Sequence, residues 1–219
     1  QAVAAKLAGA KKVYMVGAIG ADDFGDRVMY NMRSKGVIPT GVGVLNDFNT
    51  GMACMVIDKD GNNSVVVTPG ANLQASADQI PDSFFTVDTV VMQQMEVNET
   101  ENWAVLKRAH DAGSTTILNV AHAADVPEDV LGLVDYLIVN EKEADHIKKH
   151  FGITATAPQD VAKELAIKFN CVCVVTLSEK GSYASDHGEV TYFAPTLKVD
   201  MVDNTAAGDA FCGTFAAAI

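Results

Sequence analysis

The sequence predicts an α/β protein: a mostly parallel sheet with helices on both faces, plus a small antiparallel β lid. Two observations predict it. From residue 88 onward, short apolar strand-like runs alternate with segments of helical periodicity, the rhythm of strand–helix–strand units. Between residues 42 and 68 that rhythm gives way to β-type segments divided by turn residues, around Asp58-Lys59-Asp60-Gly61-Asn62-Asn63, a strong hairpin signal.

Each element can be justified in order. Residues 1–8 read as the tail of an Ala-rich helix stopped by Gly9. Residues 13–16 form a short apolar run, a buried strand ended by Gly17. Residues 26–35 set Val28, Met29 and Met32 on one helical face, with Gly36 as the C-cap. Segments 42–45, 51–57 and 64–68 make the antiparallel patch. Residues 90–92 are a strand. Asn98 with Glu101 three positions on is a capping-box pattern opening a helix that Gly113 closes. Residues 115–119 and 136–139 are strands, the second followed at once by Asn140 and a helix. Residues 158–169 are a helix with Val161, Leu165 and Phe169 on one face, and residues 172–176 are a strand. A hairpin about Asp186-His187-Gly188 joins residues 182–185 to 190–193. A Gly-bearing loop, 203–208, leads into the final helix.

Composition narrows the function. With 16 Lys+Arg against 28 Asp+Glu, the net charge of −12 argues against a nucleic-acid partner. Hydrophobic residues at 48% and charged residues at 20% fit a globular chain, and 219 residues fit a single domain. No apolar run reaches the length of a membrane span and no secretory leader opens the chain. The cysteines, Cys54, Cys171, Cys173 and Cys212, lie in apolar runs and are expected to be reduced core thiols of a cytoplasmic protein. The chain begins with Gln1 rather than Met and stops inside an apolar helical pattern, so both ends are expected to be cut.

Some polar groups have structural explanations. Asp22 and Asp23 fit a helix N-cap better than a metal site. His146 and His150 have zinc-like i, i+4 spacing on the face of Glu143, but no third ligand is evident, and histidines suit a helix C-terminus. Trp103, Cys171 and Cys173 are expected to pack in the core.

The chemically informative segment is Asp203-Asn204-Thr205-Ala206-Ala207-Gly208-Asp209-Ala210-Phe211. Small residues precede a helix start, where free backbone N–H groups and the helix dipole favour an anion. Ala206, Ala207 and Gly208 let it approach closely. Asp209 falls in the first turn, placed to accept a proton from a hydroxyl. An ordinary capped helix with a first-turn acid would look the same on spacing alone.

This loop resembles the second signature of the PfkB family of ribokinase-like sugar kinases, with Asn204 where Thr is usual. Further landmarks follow in that family's order: the opening Gln1-Ala2-Val3-Ala4-Ala5, the stretch from Gly17 to Gly25, Thr50-Gly51, Pro69-Gly70-Ala71-Asn72, Gln94-Met95-Glu96, Asn140-Glu141-Lys142-Glu143, and the stretch from Thr176 to Gly181. The resemblance covers essentially the whole chain.

The resemblance implies an ATP-dependent kinase acting on a sugar hydroxyl, D-ribose first. The alternatives are another kinase of the family (for fructose, a deoxy-sugar acid or a nucleoside) or a truncated, non-catalytic nucleotide-binding or assembly remnant. It implies a body starting at residues 1–37, a lid over 38–70 and a nucleotide-binding body over 71–219. Asp209 matches the catalytic base, and the backbone of Ala206, Ala207, Gly208 and Asp209 an anion hole. Glu96 matches a sugar contact. Asn140 and Glu143 lie near the phosphates and, indirectly, Mg²⁺, although Asn followed by Glu is equally a capping box. Thr176, Ser178 and Gly181 match the nucleotide loop, Ser178 replacing a usual Gly. Asp203 and Thr205 match part of a K⁺ site. A homodimer through the lid is expected, because the strand at 51–57 is apolar on both faces.

Overall fold

Helix α1 (Ala2–Leu7) ends just before Gly9, which takes φ +111°. Strand β1 (Tyr14–Gly20) continues past Gly17, where the sequence had suggested an end. Helix α2 (Asp23–Ser34) starts three residues before the expected position, because Asp22 caps it by accepting the Gly25 N–H at 2.8 Å. Of its predicted apolar face only Met32 is buried, while Val28 is exposed. The computed structural model describes residues 1–57 and 63–219.

Strand β2 (Ile38–Leu45) corrects one expectation. Residues 42–45, expected in the antiparallel patch, pair in parallel with β1, with Gly17 opposite Val42 and Gly20 opposite Leu45. The cause is the intervening α2: a strand–helix–strand crossover returns the second strand in the direction of the first. The antiparallel patch is therefore β3 (Met52–Ile57) and β4 (Asn63–Thr68), with Cys54 opposite Val66 and Met55 opposite Val65. The expected turn, residues 58–62, lies outside the described residues. Cys54 is exposed there, not a core thiol, because a two-stranded ribbon has no interior of its own.

Short 3-10 turns at Gly70–Gln74, Ala77–Gln79 and Asp82–Phe84 lead into the main sheet. Its parallel strands are β5 (Val90–Gln93), β6 (Thr115–Asn119), β7 (Tyr136–Asn140) and β8 (Val172–Thr176). Between them run α3 (Glu99–Asp111), the single turn α4 (Glu128–Leu131), α5 (Glu141–His150) and α6 (Pro158–Phe169). The hairpin β9 (Ser182–Asp186) and β10 (Val190–Ala194) adds to β8 antiparallel, giving the order β10-β9-β8-β7-β6-β5. Helix α7 (Ala207–Ala218) closes the described chain.

Strand alternation sorts the core into two layers. Leu118, Leu137, Val139, Cys173 and Val175 face one side, where they meet Leu106, Ile147, Leu165 and Phe169 of the helices, with Trp103 packed alongside. Ile117, Ile138 and Val174 face the other side, under Cys212, Phe211 and Phe215 of α7. Cys171 and Cys173 are fully buried, and burial pushes the Cys171 thiol up to about 12, so both are packing groups. Helix α3 also departs from expectation: Asn98 caps it, but Glu101 does not return to Asn98. It accepts from the Ser76 hydroxyl and the Ala77 N–H at 3.1 and 2.7 Å, tying α3 to the preceding 3-10 turn. Among the described residues no helix is long and apolar enough to cross a membrane.

Candidate active site

In a parallel α/β sheet, ligands gather at the carboxyl ends of the strands. Here Gln93, Asn119, Asn140 and Thr176 end β5 to β8, and Asn140 lies directly opposite Thr176. Packing of Phe211, Cys212 and Phe215 on the sheet brings the N-terminus of α7 to these ends. Ala206 N-caps α7 in the left-handed conformation, φ +61°, and no side chain caps the helix. The Ala207 N–H, expected in the anion hole, donates instead to the Asn204 carbonyl at 3.1 Å, which leaves those of Gly208 and Asp209 to face an anion. Beside Gly208 a Cβ would meet nothing within 4 Å.

Two adjoining hollows share this helix start. One, about 290 Å³, is lined by Thr176, Ser178, Gly181, Thr196, Gly208 and Phe211. The other, about 200 Å³, is lined by Asn119, Asn140, Glu143, Asn204, Gly208 and Asp209. The sequence-expected residues therefore converge, except for two groups. Glu96 stands exposed outside the lining of either hollow, 3.3 Å from His122. Asp203 and Thr205 lie in the exposed approach to α7, where Asp203 Oδ1 accepts the Thr205 N–H at 2.8 Å and its hydroxyl at 2.7 Å. Those bonds hold the Asp203 carboxyl below its usual range.

Asn140 and Glu143 form a reciprocal pair. Asn140 Oδ1 accepts from the Lys142 and Glu143 N–H groups, each at 2.9 Å. Glu143 accepts the Asn140 N–H at 2.8 Å and its side-chain amide at 2.7 Å. The capping box is real, and it faces the hollow. Burial raises the Glu143 carboxyl above its ordinary value, opposed by the Asn140 bonds and the charge of His122.

The nucleotide-loop residues show why their types matter. Ser178 has φ +53°, the left-handed region that favours glycine. Gly181 has φ +103°, and a Cβ there would lie 2.1 Å from the Ala194 carbonyl oxygen. Only glycine fits that crossing.

Three residues escaped the sequence reading. Gln1 Nε2 donates to Asp209 Oδ1 at 3.1 Å and to Asn119 Oδ1 at 3.2 Å, and Gln94 Nε2 donates to Gln1 Oε1. The histidine cluster has a plain explanation. His146 and His150 both face Asp125, at 2.8 and 3.3 Å, and no group of three potential metal ligands stands out among the described residues.

Comparison with known proteins gives the family and the fold. Residues 1–219 match the pfkB family carbohydrate kinase profile. The chain belongs to that family. As a pfkB family member it is 29% identical to a Lactococcus lactis ribokinase over 218 residues, covering 99% of this chain and 69% of that one. It is 31% identical to a Bacillus subtilis ribokinase over 223 residues, covering 100% and 71%. Its fold superposes on an Arabidopsis thaliana ribokinase complexed with ribose and ATP with a TM-score of 0.85, at 28% identity, covering 99% of this chain and 72% of that one.

Proposed function

We propose that this pfkB family kinase transfers the γ-phosphoryl group of ATP to a hydroxyl of D-ribose, giving ribose 5-phosphate and ADP. The observation that carries the reading is the placement of Asp209 beside an uncapped helix start in a hollow shared with Asn140 and Glu143. The ribokinase relatives give the sugar.

The steps follow from the parts. Asp209 takes the proton of the attacking hydroxyl as the new O–P bond forms and the bond to ADP breaks. The backbone N–H groups of Ala206, Gly208 and Asp209 and the α7 dipole stabilise the charge on the transferring phosphoryl group. The nucleotide lies along the groove past Thr176, Ser178 and Gly181. Glu96 meets the sugar.

Mg²⁺ fits beside the Asn140–Glu143 pair, where Glu143 supplies the carboxylate. Each Glu143 oxygen accepts one hydrogen bond from Asn140, and Glu143 would help hold the ion, indirectly through its water, which suits an ion that sheds water reluctantly. The ion, when bound, neutralises phosphate charge. K⁺ fits the hard oxygen donors of Asp203 and the Thr205 carbonyl and would order the loop before α7. The lid supports a homodimer. Met52, Met55, Val65, Val66 and Val67 are all exposed across its two faces, and one face covers the sugar while the other meets a second copy. We place the protein in the cytoplasm, because the buried thiols Cys171, Cys173 and Cys212 suit a reducing compartment.

The test is an ADP-release assay over pentoses, hexoses and nucleosides with Mg²⁺, repeated on Asp209→Asn. Ribose should give the highest kcat/KM, and Asp209→Asn should cut kcat by about 10²–10⁴-fold. Preference for fructose or a nucleoside overturns the substrate, and near-normal turnover by Asp209→Asn overturns the base.

A further inference from the structure

The Asp209 carboxylate is held through a chain of side-chain amides. Gln1 Nε2 donates to its Oδ1 at 3.1 Å across 208 positions of sequence. The orientation of the Gln1 amide is over-determined. Asn119 Nδ2 donates to the Ile138 carbonyl at 3.0 Å, which leaves Asn119 Oδ1 facing Gln1 as an acceptor at 3.2 Å. On the other side, Gln94 Nε2 donates to Gln1 Oε1. An ionised carboxylate only accepts, so Nε2 must point at Asp209 and Oε1 at Gln94. The chain reaches further: Asn102 Nδ2 donates to the Gln94 carbonyl at 2.7 Å, and Gln93 Nε2 donates to Asn102 Oδ1 at 2.6 Å. Buried amides of α3 and β5 thereby anchor an exposed group on α7.

We propose that Gln1 is a positioning residue for the phosphoryl-transfer step: it fixes Oδ1 of Asp209 and leaves Oδ2 turned to the substrate hydroxyl. The proposal rests on Asp209 being the proton acceptor. Oδ2 takes no hydrogen bond among the described residues, so the oxygen that must receive the proton is the unoccupied one. Without Gln1 the carboxylate of a first-turn Asp turns easily about its side-chain bonds, and a misplacement of about 1 Å at a reacting group costs on the order of 10²-fold. The side-chain role is separable from the folding role. The backbone carbonyl of Gln1, not its amide, accepts the Ala5 N–H at 2.9 Å and packs against Gly213.

The experiment compares Gln1→Ala, Gln1→Glu, Gln94→Leu and Asp209→Asn by steady-state kinetics with ribose and ATP, alongside thermal melting. Gln1→Ala should lower kcat about 10–100-fold while both KM values and the melting temperature stay near those of the unaltered protein. Gln94→Leu should lower kcat in the same direction by less. Gln1→Glu sets a second negative charge against the base, which disfavours its ionised form, so the acid limb of its kcat profile should move to higher pH. An undiminished kcat in Gln1→Ala overturns the proposal, as does a kcat loss matched by losses in KM and melting temperature. If Gln1→Ala does not fold, unchanged kcat in Gln94→Leu with an unmoved pH limb in Gln1→Glu overturns it. An inactive Asp209→Asn beside a fully active Gln1→Ala defeats the positioning role alone. An active Asp209→Asn defeats the base itself.

Discussion

Asp22 and Thr50 are joined by two hydrogen bonds across 28 positions: the Thr50 N–H reaches Asp22 Oδ2 at 2.7 Å and its hydroxyl reaches Oδ1 at 2.6 Å. The buried Thr50 hydroxyl also accepts the Gly20 N–H at 3.0 Å. One small cluster therefore fixes the end of β1, the start of α2 and the approach to the lid. The Thr50 hydroxyl, then its N–H and that of Gly25, hold the Asp22 carboxyl below its ordinary value of 3.8.

A depressed carboxyl contributes stability that is present above its unfolded value and lost as pH falls through the folded one. The melting temperature should therefore drop on acidification below about pH 3.8, and Asp22→Asn should flatten that part of the profile. Thr50→Val leaves the Gly20 N–H without its acceptor, a loss of about 1–3 kcal/mol. Calorimetry across pH 2.5–7 (roughly the range over which such carboxyls titrate) checks both. An unchanged acid slope in Asp22→Asn would contradict the assignment.

Glu143 carries the opposite sign. Its raised value means the folded state favours the protonated form, so its contribution is present below 4.5 and lost as pH rises through the folded value. At neutral pH the ionised group costs stability. Glu143→Gln should keep or raise the melting temperature at pH 7 while lowering Mg²⁺-dependent turnover about 10–100-fold. A destabilised but fully active variant would make the pair purely a helix cap.

The lid predicts assembly. Met55 and Val66 lie on opposite faces of the β3–β4 ribbon. Met55→Lys and Val66→Lys, measured separately by light scattering and sugar KM, should each strike a different function: one splits the dimer, the other weakens sugar binding with the dimer intact. A monomeric, fully active protein at micromolar concentration rules out the lid interface.

The cation reading is tested by salt exchange. Replacing K⁺ with tetramethylammonium at constant ionic strength should lower kcat, because Asp203 and Thr205 sit before the anion-binding helix start and not at the substrate. Equal rates in the two salts would mean that the bonds from Thr205 to Asp203 order the loop unaided.

The part of the site carried by one contiguous stretch was legible. The loop before α7 declares itself through small residues, a helix start and Asp209, and the Asn140–Glu143 pair through capping spacing. The main strands and α6 were legible because their apolar runs are long and cleanly bounded. What sequence could not show was contact between distant side chains. Gln1 meets Asp209 only because α1 packs on α7, and no local pattern encodes that meeting. Glu101 was misassigned for the same reason, its partner lying 25 positions away in another element. Strand β2 was misplaced because Gly41 and Gly43 weaken its strand signal; there Gly41 leaves room for Val16, whose side chain would lie 2.7 Å from an added Cβ.

The contact of α1 with α7 has a consequence for the order of folding. Closing a loop of some 200 residues is among the costliest steps in chain entropy, and contacts of such separation form late. The central strands and their intervening helices can assemble from near neighbours, but the carboxylate meets its amide only when the two extremes of the described chain come together. During refolding, secondary structure should return before full phosphoryl-transfer activity does. A lag of turnover behind secondary structure would mark the meeting of α1 and α7 as a late event.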